Sequence, residues 1–142
     1  MSKEFRFRAR SGFPAKENSP SRSFAARWGS TTLFDEGFVG VPAAFLRYYT
    51  RLALSHGEAM FVLQLMSFKW NENAPFPSYK TLSQRMDITP EMARRHAKSL
   101  ETKKLLTRVK RTGQSNAFDL RPLTQALEAT LQELRPAKTA AA

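Results

Sequence analysis

Apolar positions along this chain fall into short helical stripes joined by strong capping signals. Phe45, Tyr49 and Leu52 recur at helical spacing after Pro42, which predicts a helix to about Ala53. Ser55-His56-Gly57-Glu58 has the spacing of a capping box and opens a second helix to Lys69. That helix (Ala59, Met60, Phe61, Val62, Leu63, Leu65, Met66, Phe68) has almost no polar face and is expected to be buried on most sides, with Trp70 closing the edge of the core. Asn71 to Pro77 then reads as a loop.

The stretch Pro77 to Leu120 organises the rest. Ser78 is a good N-cap, and Leu82 and Met86 lie four residues apart, so a short helix ends near Asp87. Thr89-Pro90-Glu91 then supplies a hydroxyl cap, a ring pre-set to helical φ and a carboxylate at the positive helix end. A helix to about Lys104 must follow, with Ala93, Ala97 and Leu100 on its inner face. Arg94, Arg95, Lys98, Glu91 and Met92 lie on the outer side or flank it. Leu105 to Arg111 and Asn116 to Leu120 flank Thr112-Gly113-Gln114-Ser115, the pattern of a hairpin with a basic first strand.

After Arg121-Pro122, a last helix carries Leu123, Leu127, Leu131 and Leu134 at spacings of four, four and three. This stripe either docks on its own domain or meets its copy in a homodimer. Thr32 to Val41, with Gly37 and Gly40 among short apolar clusters, suits an extended entry into the domain. Residues 1–30 show no helical or strand period beyond Phe5-Arg6-Phe7-Arg8 and read as a basic flexible arm, although Phe24 and Trp28 are apolar enough to pack. The expected organisation is an arm over 1–30, a domain over 31–121, a C-terminal helix over 122–135 and a disordered tail over 136–142.

Charge sharpens this picture. Of the net charge of +11, residues 1–28 contribute +5 and residues 78–121 contribute +7, while 29–77 carry −1. A sequence pI near 10.6 calls for an anionic partner, nucleic acid before a membrane surface. The absence of cysteine rules out disulfides and thiolate metal sites and favours an intracellular setting. No apolar run approaches the roughly 18 residues a span requires, and the N-terminus lacks an apolar signal core. Two histidines, His56 in a cap and His96 beside Ala97, with no HExxH, GxSxG or phosphate-loop pattern, leave little to build a catalytic centre, so no enzyme activity and no cofactor or metal are expected.

The ordered set of Thr89-Pro90, Arg94-Arg95, Leu100 and Arg108-Lys110-Arg111 resembles the winged helix-turn-helix family, with the closest likeness to the modules of bacterial, plasmid and phage replication initiators and small transcriptional regulators. The resemblance covers roughly Leu54 to Leu120; where Ala93 and Ala97 stand, that family more often has larger aliphatics. It implies a mainly α fold with a small β-hairpin wing. It also implies sequence-specific binding of double-stranded DNA, the second helix entering the major groove and the wing touching the backbone. The DNA-facing set is then Ser78, Lys80, Thr89, Glu91, Met92, Arg94, Arg95, Lys98, Arg108, Lys110, Arg111 and Gln114, with Arg6, Arg8 and Arg10 in the arm. Arg95 is the first candidate for reading a base, since a guanidinium suits bidentate contact to guanine. A replication or partition factor, or a regulator, in a bacterial cytoplasm is the setting implied. The alternative is an interaction protein whose winged helix docks on an acidic surface of transcription or replication machinery.

Overall fold

A computed structural model describes residues 20–69 and 71–135, with side chains from residue 23 onward; the arm residues Arg6, Arg8 and Arg10, Trp70 and the tail 136–142 lie outside them. The chain divides into two compact units, residues 1–39 and 40–142.

In the first unit, Pro20–Trp28 is helical (α1) and Thr32–Asp35 forms a short second helix (α2). This corrects two expectations, a structureless arm to residue 30 and an extended entry from Thr32. The reason is local. Ser30 Oγ accepts the Leu33 N–H at 3.1 Å, Gly29 and Gly37 take positive φ to end the two turns, and Phe24 packs on Phe34 and Phe38 with ring centroids 6.0 and 4.9 Å away.

The second unit begins with α3, Ala43–Tyr48, which tightens into a 3₁₀ turn over Tyr49–Leu52 instead of running on to Ala53 as an α-helix. Ala53 itself is left-handed at φ 63°, which redirects the chain into the next cap. That cap is the box expected at Ser55: its hydroxyl accepts from Glu58 N–H at 3.1 Å while Glu58 accepts from Ser55 N–H at 2.8 Å. Helix α4, His56–Met66, follows and stops short of Lys69 because Ser67 turns back on it, its hydroxyl donating to the Gln64 carbonyl at 2.6 Å. Phe61, Val62 and Leu65 are fully buried, but Met60 on the same helix is exposed, so α4 is covered on fewer sides than its composition suggests.

Helix α5, Tyr79–Met86, is capped by Ser78 and ends at Asp87, which adopts a left-handed φ of 54°. Two residues later Thr89 accepts from Met92 N–H at 3.1 Å and opens α6, Pro90–Thr102, with Pro90 in its first turn. Ala93 and Ala97 are 0% exposed: the absence of bulk on this seam lets α6 lie close against α4 and α5, and the small residues pack tightly. The strands are shorter than the runs that predicted them, β1 Thr107–Val109 and β2 Ala117–Asp119, because Leu105 and Leu106 turn inward as core residues first. They pair antiparallel with Arg108 opposite Phe118, and Phe118 N–H donates to Pro75 O at 2.8 Å, tying the wing to the loop before α5.

Helix α7, Arg121–Leu134, closes the unit. Leu123 and Leu127 are 2% and 7% exposed within the same cluster as Phe45, Phe61, Leu100 and Phe118. Of the two readings of this stripe, docking on its own domain therefore holds for its first half, and α7 is part of the domain and not an appendage to it. Leu131 is half-buried and Leu134 exposed. Among its described residues the second unit is mainly helical with one two-stranded hairpin, in a winged-helix-like arrangement. Among the described residues no helix is long and apolar enough to cross a membrane.

Candidate nucleic-acid interface

Helix α6 presents the outer face its spacing predicts. Arg94, Arg95 and Lys98 are exposed, as are Glu91 and Met92 near its N-terminus, while Ala93, Ala97 and Leu100 point into the core. Lys80 on α5 is also exposed. Among the described residues none of Lys80, Arg94, Arg95 and Lys98 forms a salt bridge to a carboxylate, so their charge is available to an external anion. Arg95 leans on its own helix, with a nitrogen 3.7 Å from Met92 Sδ. Ser78 and Thr89 use their hydroxyls as helix caps, each accepting a backbone N–H; in that role they set where α5 and α6 begin.

The wing differs from its sequence reading. Arg108 faces inward, opposite Phe118, and is not part of a free basic strand. Its guanidinium pairs with Glu101 at 2.7 Å and donates to the Tyr79 hydroxyl at 3.2 Å, while its backbone N–H donates to Glu101 at 3.3 Å. The hydrogen bond to Glu101, reinforced by Tyr79, raises the Arg108 pKa above its ordinary value, and the Arg108 bond holds the Glu101 carboxyl below the usual carboxylate range. Arg108 thus belongs to the wing's anchorage and is withdrawn from the set of free cations. Arg111 is half-buried, its guanidinium 4.2 Å over the Phe76 ring and donating to Gln114 Oε1. Lys110 stays exposed at the wing tip.

Tyr79 is the residue the sequence reading passed over. Its ring meets the edge of Phe118 at 5.8 Å and carries Arg94 on its face at 5.3 Å. Tyr79, Leu82 and Met86 form one stripe at spacings of three and four, so the apolar pattern of α5 begins one turn before Leu82. Between the start of α5, Arg94 and the wing tip lies an open cleft of about 370 Å³, lined by Pro77, Tyr79, Lys80 and Asn116 among others.

The histidines are structural. His96 packs against Phe61 with centroids 5.8 Å apart and fills the space above Gly57, where a Cβ would lie 3.2 Å from its Cε1. His56 Nδ1 is 2.9 Å from the Tyr49 hydroxyl. Among the described residues no group of three or more potential ligands is placed to hold a metal.

Glu58 joins the capping box to the far end of α6. It accepts from Lys103 Nζ at 2.6 Å and from the Ser99 hydroxyl, and Lys103 also donates to the Ala53 carbonyl at 2.6 Å. Burial acts to raise the Glu58 pKa, but the hydrogen bonds from Lys103, Ser99 and Ser55 N–H outweigh it and hold the carboxyl at about 2.

No curated protein matches the chain. Among solved structures it is similar to the N-terminal domain of DnaD protein from Geobacillus kaustophilus HTA426. That crystal structure has 22% identity and a TM-score of 0.61, the match covering 83% of this chain and 96% of that one. At that identity the likeness speaks for the fold. The family is shown by the sequence itself, which matches the DnaD N-terminal domain over residues 41–137, from α3 through the end of α7, and the chain belongs to that family.

Proposed function

We propose that the domain is a non-catalytic DNA-binding module of a replication protein, in which α6 lies in the major groove of double-stranded DNA and the wing approaches the neighbouring backbone. The observation that carries this reading is the outer face of α6: Arg94, Arg95 and Lys98 are exposed and, among the described residues, form no salt bridge, on a helix whose opposite face is sealed into the core. Membership in the DnaD N-terminal domain family supports the replication setting over transcriptional regulation. Arg95 reads a base edge, and Lys110 and Lys98 supply charge to phosphates.

The test is a salt series of duplex binding followed by fluorescence anisotropy. Contact with about six phosphates gives a log–log slope near −5. Arg95→Ala should cost about 1 to 3 kcal/mol at a preferred site selected from a random pool and relax preference at one position. Lys110→Ala should weaken binding to all sequences alike. Identical behaviour of the two against mismatched sites refutes the assignment of readout to α6. A homodimer on an inverted repeat requires a surface other than Leu123 and Leu127, and α7 still presents Leu131 and Leu134.

A second reading, a module that docks on an acidic protein surface, is favoured by one feature. Phe76 before α5, Met92 on α6 and Val109 on β1 are 57%, 37% and 47% exposed and offer apolar contacts that a phosphate backbone does not use. A shallow salt dependence, with affinity lost on Phe76→Ser or Met92→Ser and kept on Arg95→Ala, would select this reading.

A further inference from the structure

The cleft beside Tyr79 has a composition suited to one kind of ligand. Its walls come from three segments: Pro77 to Lys80 at the start of α5, Arg94 from the first turns of α6, and Gln114, Ser115 and Asn116 from the wing tip, with Phe118 also lining it. Two cations line it and no carboxylate does, while the wing tip adds amide and hydroxyl donors. The first amides of α5, an eight-residue helix with no acidic residue in its first turn, bring the positive end of that helix to the same place. Such a lining accepts an anion. It does not suit a nucleobase, because the face of Tyr79 is already covered by Arg94.

The cationic wall is also held in place. Glu101 grips Arg108, Arg108 donates to the Tyr79 hydroxyl, Phe118 presses edge-on against the Tyr79 ring, and Arg94 rests on that ring. We propose that the cleft seats a phosphodiester of the DNA backbone, clamped between α5 and the wing by Lys80 and Arg94, with Tyr79 acting as a positioning residue for Arg94. This rests on the DNA-binding reading above and adds to it a specific phosphate seat, with Arg94 at the junction of the outer α6 face and the cleft and Arg95 left to the base edge.

The experiment uses the full chain. Lys80→Ala and Arg94→Ala should each lower duplex affinity about three- to tenfold, equally for matched and mismatched sequences, and each should reduce the steepness of the log–log salt dependence by about one. Arg85→Ala removes another exposed cation, stacked on Phe68 outside the cleft, and should leave both unchanged. Tyr79→Leu should flatten the salt dependence as Arg94→Ala does, and Tyr79→Phe, which keeps the ring, should restore it; circular dichroism confirms that each variant is folded. In ¹H–¹⁵N spectra, inorganic phosphate added against chloride at equal ionic strength should shift the amides of Ser78 to Thr81 and Gln114 to Asn116. Duplex binding that is untouched by both Lys80→Ala and Arg94→Ala overturns the cleft assignment and leaves the α6 reading standing. Failure of the unmodified chain to bind duplex at all overturns both.

Discussion

Replacing Glu58 by Gln should destabilise the domain and remove part of its sensitivity to acid. Glu58 is 6% exposed and collects three donors, Lys103 Nζ, the Ser99 hydroxyl and the Ser55 amide, which outweigh the effect of burial and lower its pKa from 4.5 to about 2. At about 1.4 kcal/mol for each tenfold change in a proton equilibrium, that fall corresponds to about 3 kcal/mol in favour of the folded state when Glu58 is ionised. Because the folded pKa is the depressed one, this contribution is fully present above pH 4.5 and is lost as pH falls toward 2. Glutamine keeps an acceptor for Ser99 but leaves Lys103 without its counter-charge, so a loss of about 2 to 3 kcal/mol at pH 7 is expected. Urea unfolding monitored by circular dichroism between pH 2.5 and 7 measures it. The gap between Glu58→Gln and the parent should narrow as pH drops below 4, and a double-mutant cycle with Lys103→Met should return a coupling of at least about 1 kcal/mol. A deficit below about 0.5 kcal/mol at pH 7, or one that stays constant down to pH 2.5, refutes the reasoning.

Two further stability predictions separate packing from surface. Leu127→Glu places a charge in the core at a position 7% exposed and should unfold or severely destabilise the domain, by more than about 3 kcal/mol, whereas Leu134→Glu at the exposed end of α7 should change thermal stability little; equal melting temperatures for the two variants would contradict the placement of α7. Lys104 holds a left-handed φ of 61° just past α6, with Leu105 N–H returning to the Leu100 carbonyl at 2.9 Å, so Lys104→Gly should raise stability by about 0.5 to 1 kcal/mol in the same urea assay. A destabilised glycine variant would show that the lysine stem contributes more by packing than the backbone gains.

Features that depend on neighbours a few residues apart were readable from the chain alone. The caps at Ser55, Ser78 and Thr89, the three-residue turn after Met86, and the alanine seam of α6 all follow from hydrogen-bond reach and the 3.6-residue period. The fold class and the cationic outer face of α6 follow from them. Features that depend on which distant surface is in reach were decided only by tertiary packing. The stripe on α7 has the same pattern whether it meets a second copy or its own domain, and only the space left beside Phe45, Leu100 and Phe118 sends Leu123 and Leu127 inward. The same holds for Arg108. A basic residue in a basic strand reads as a free charge until the register of the hairpin turns it toward Glu101 and Tyr79, which lie seven and twenty-nine residues away along the chain. Pairing over that separation fixed the direction of a side chain that periodicity could place only to within a strand, and with it decided which arginines remain to meet a partner.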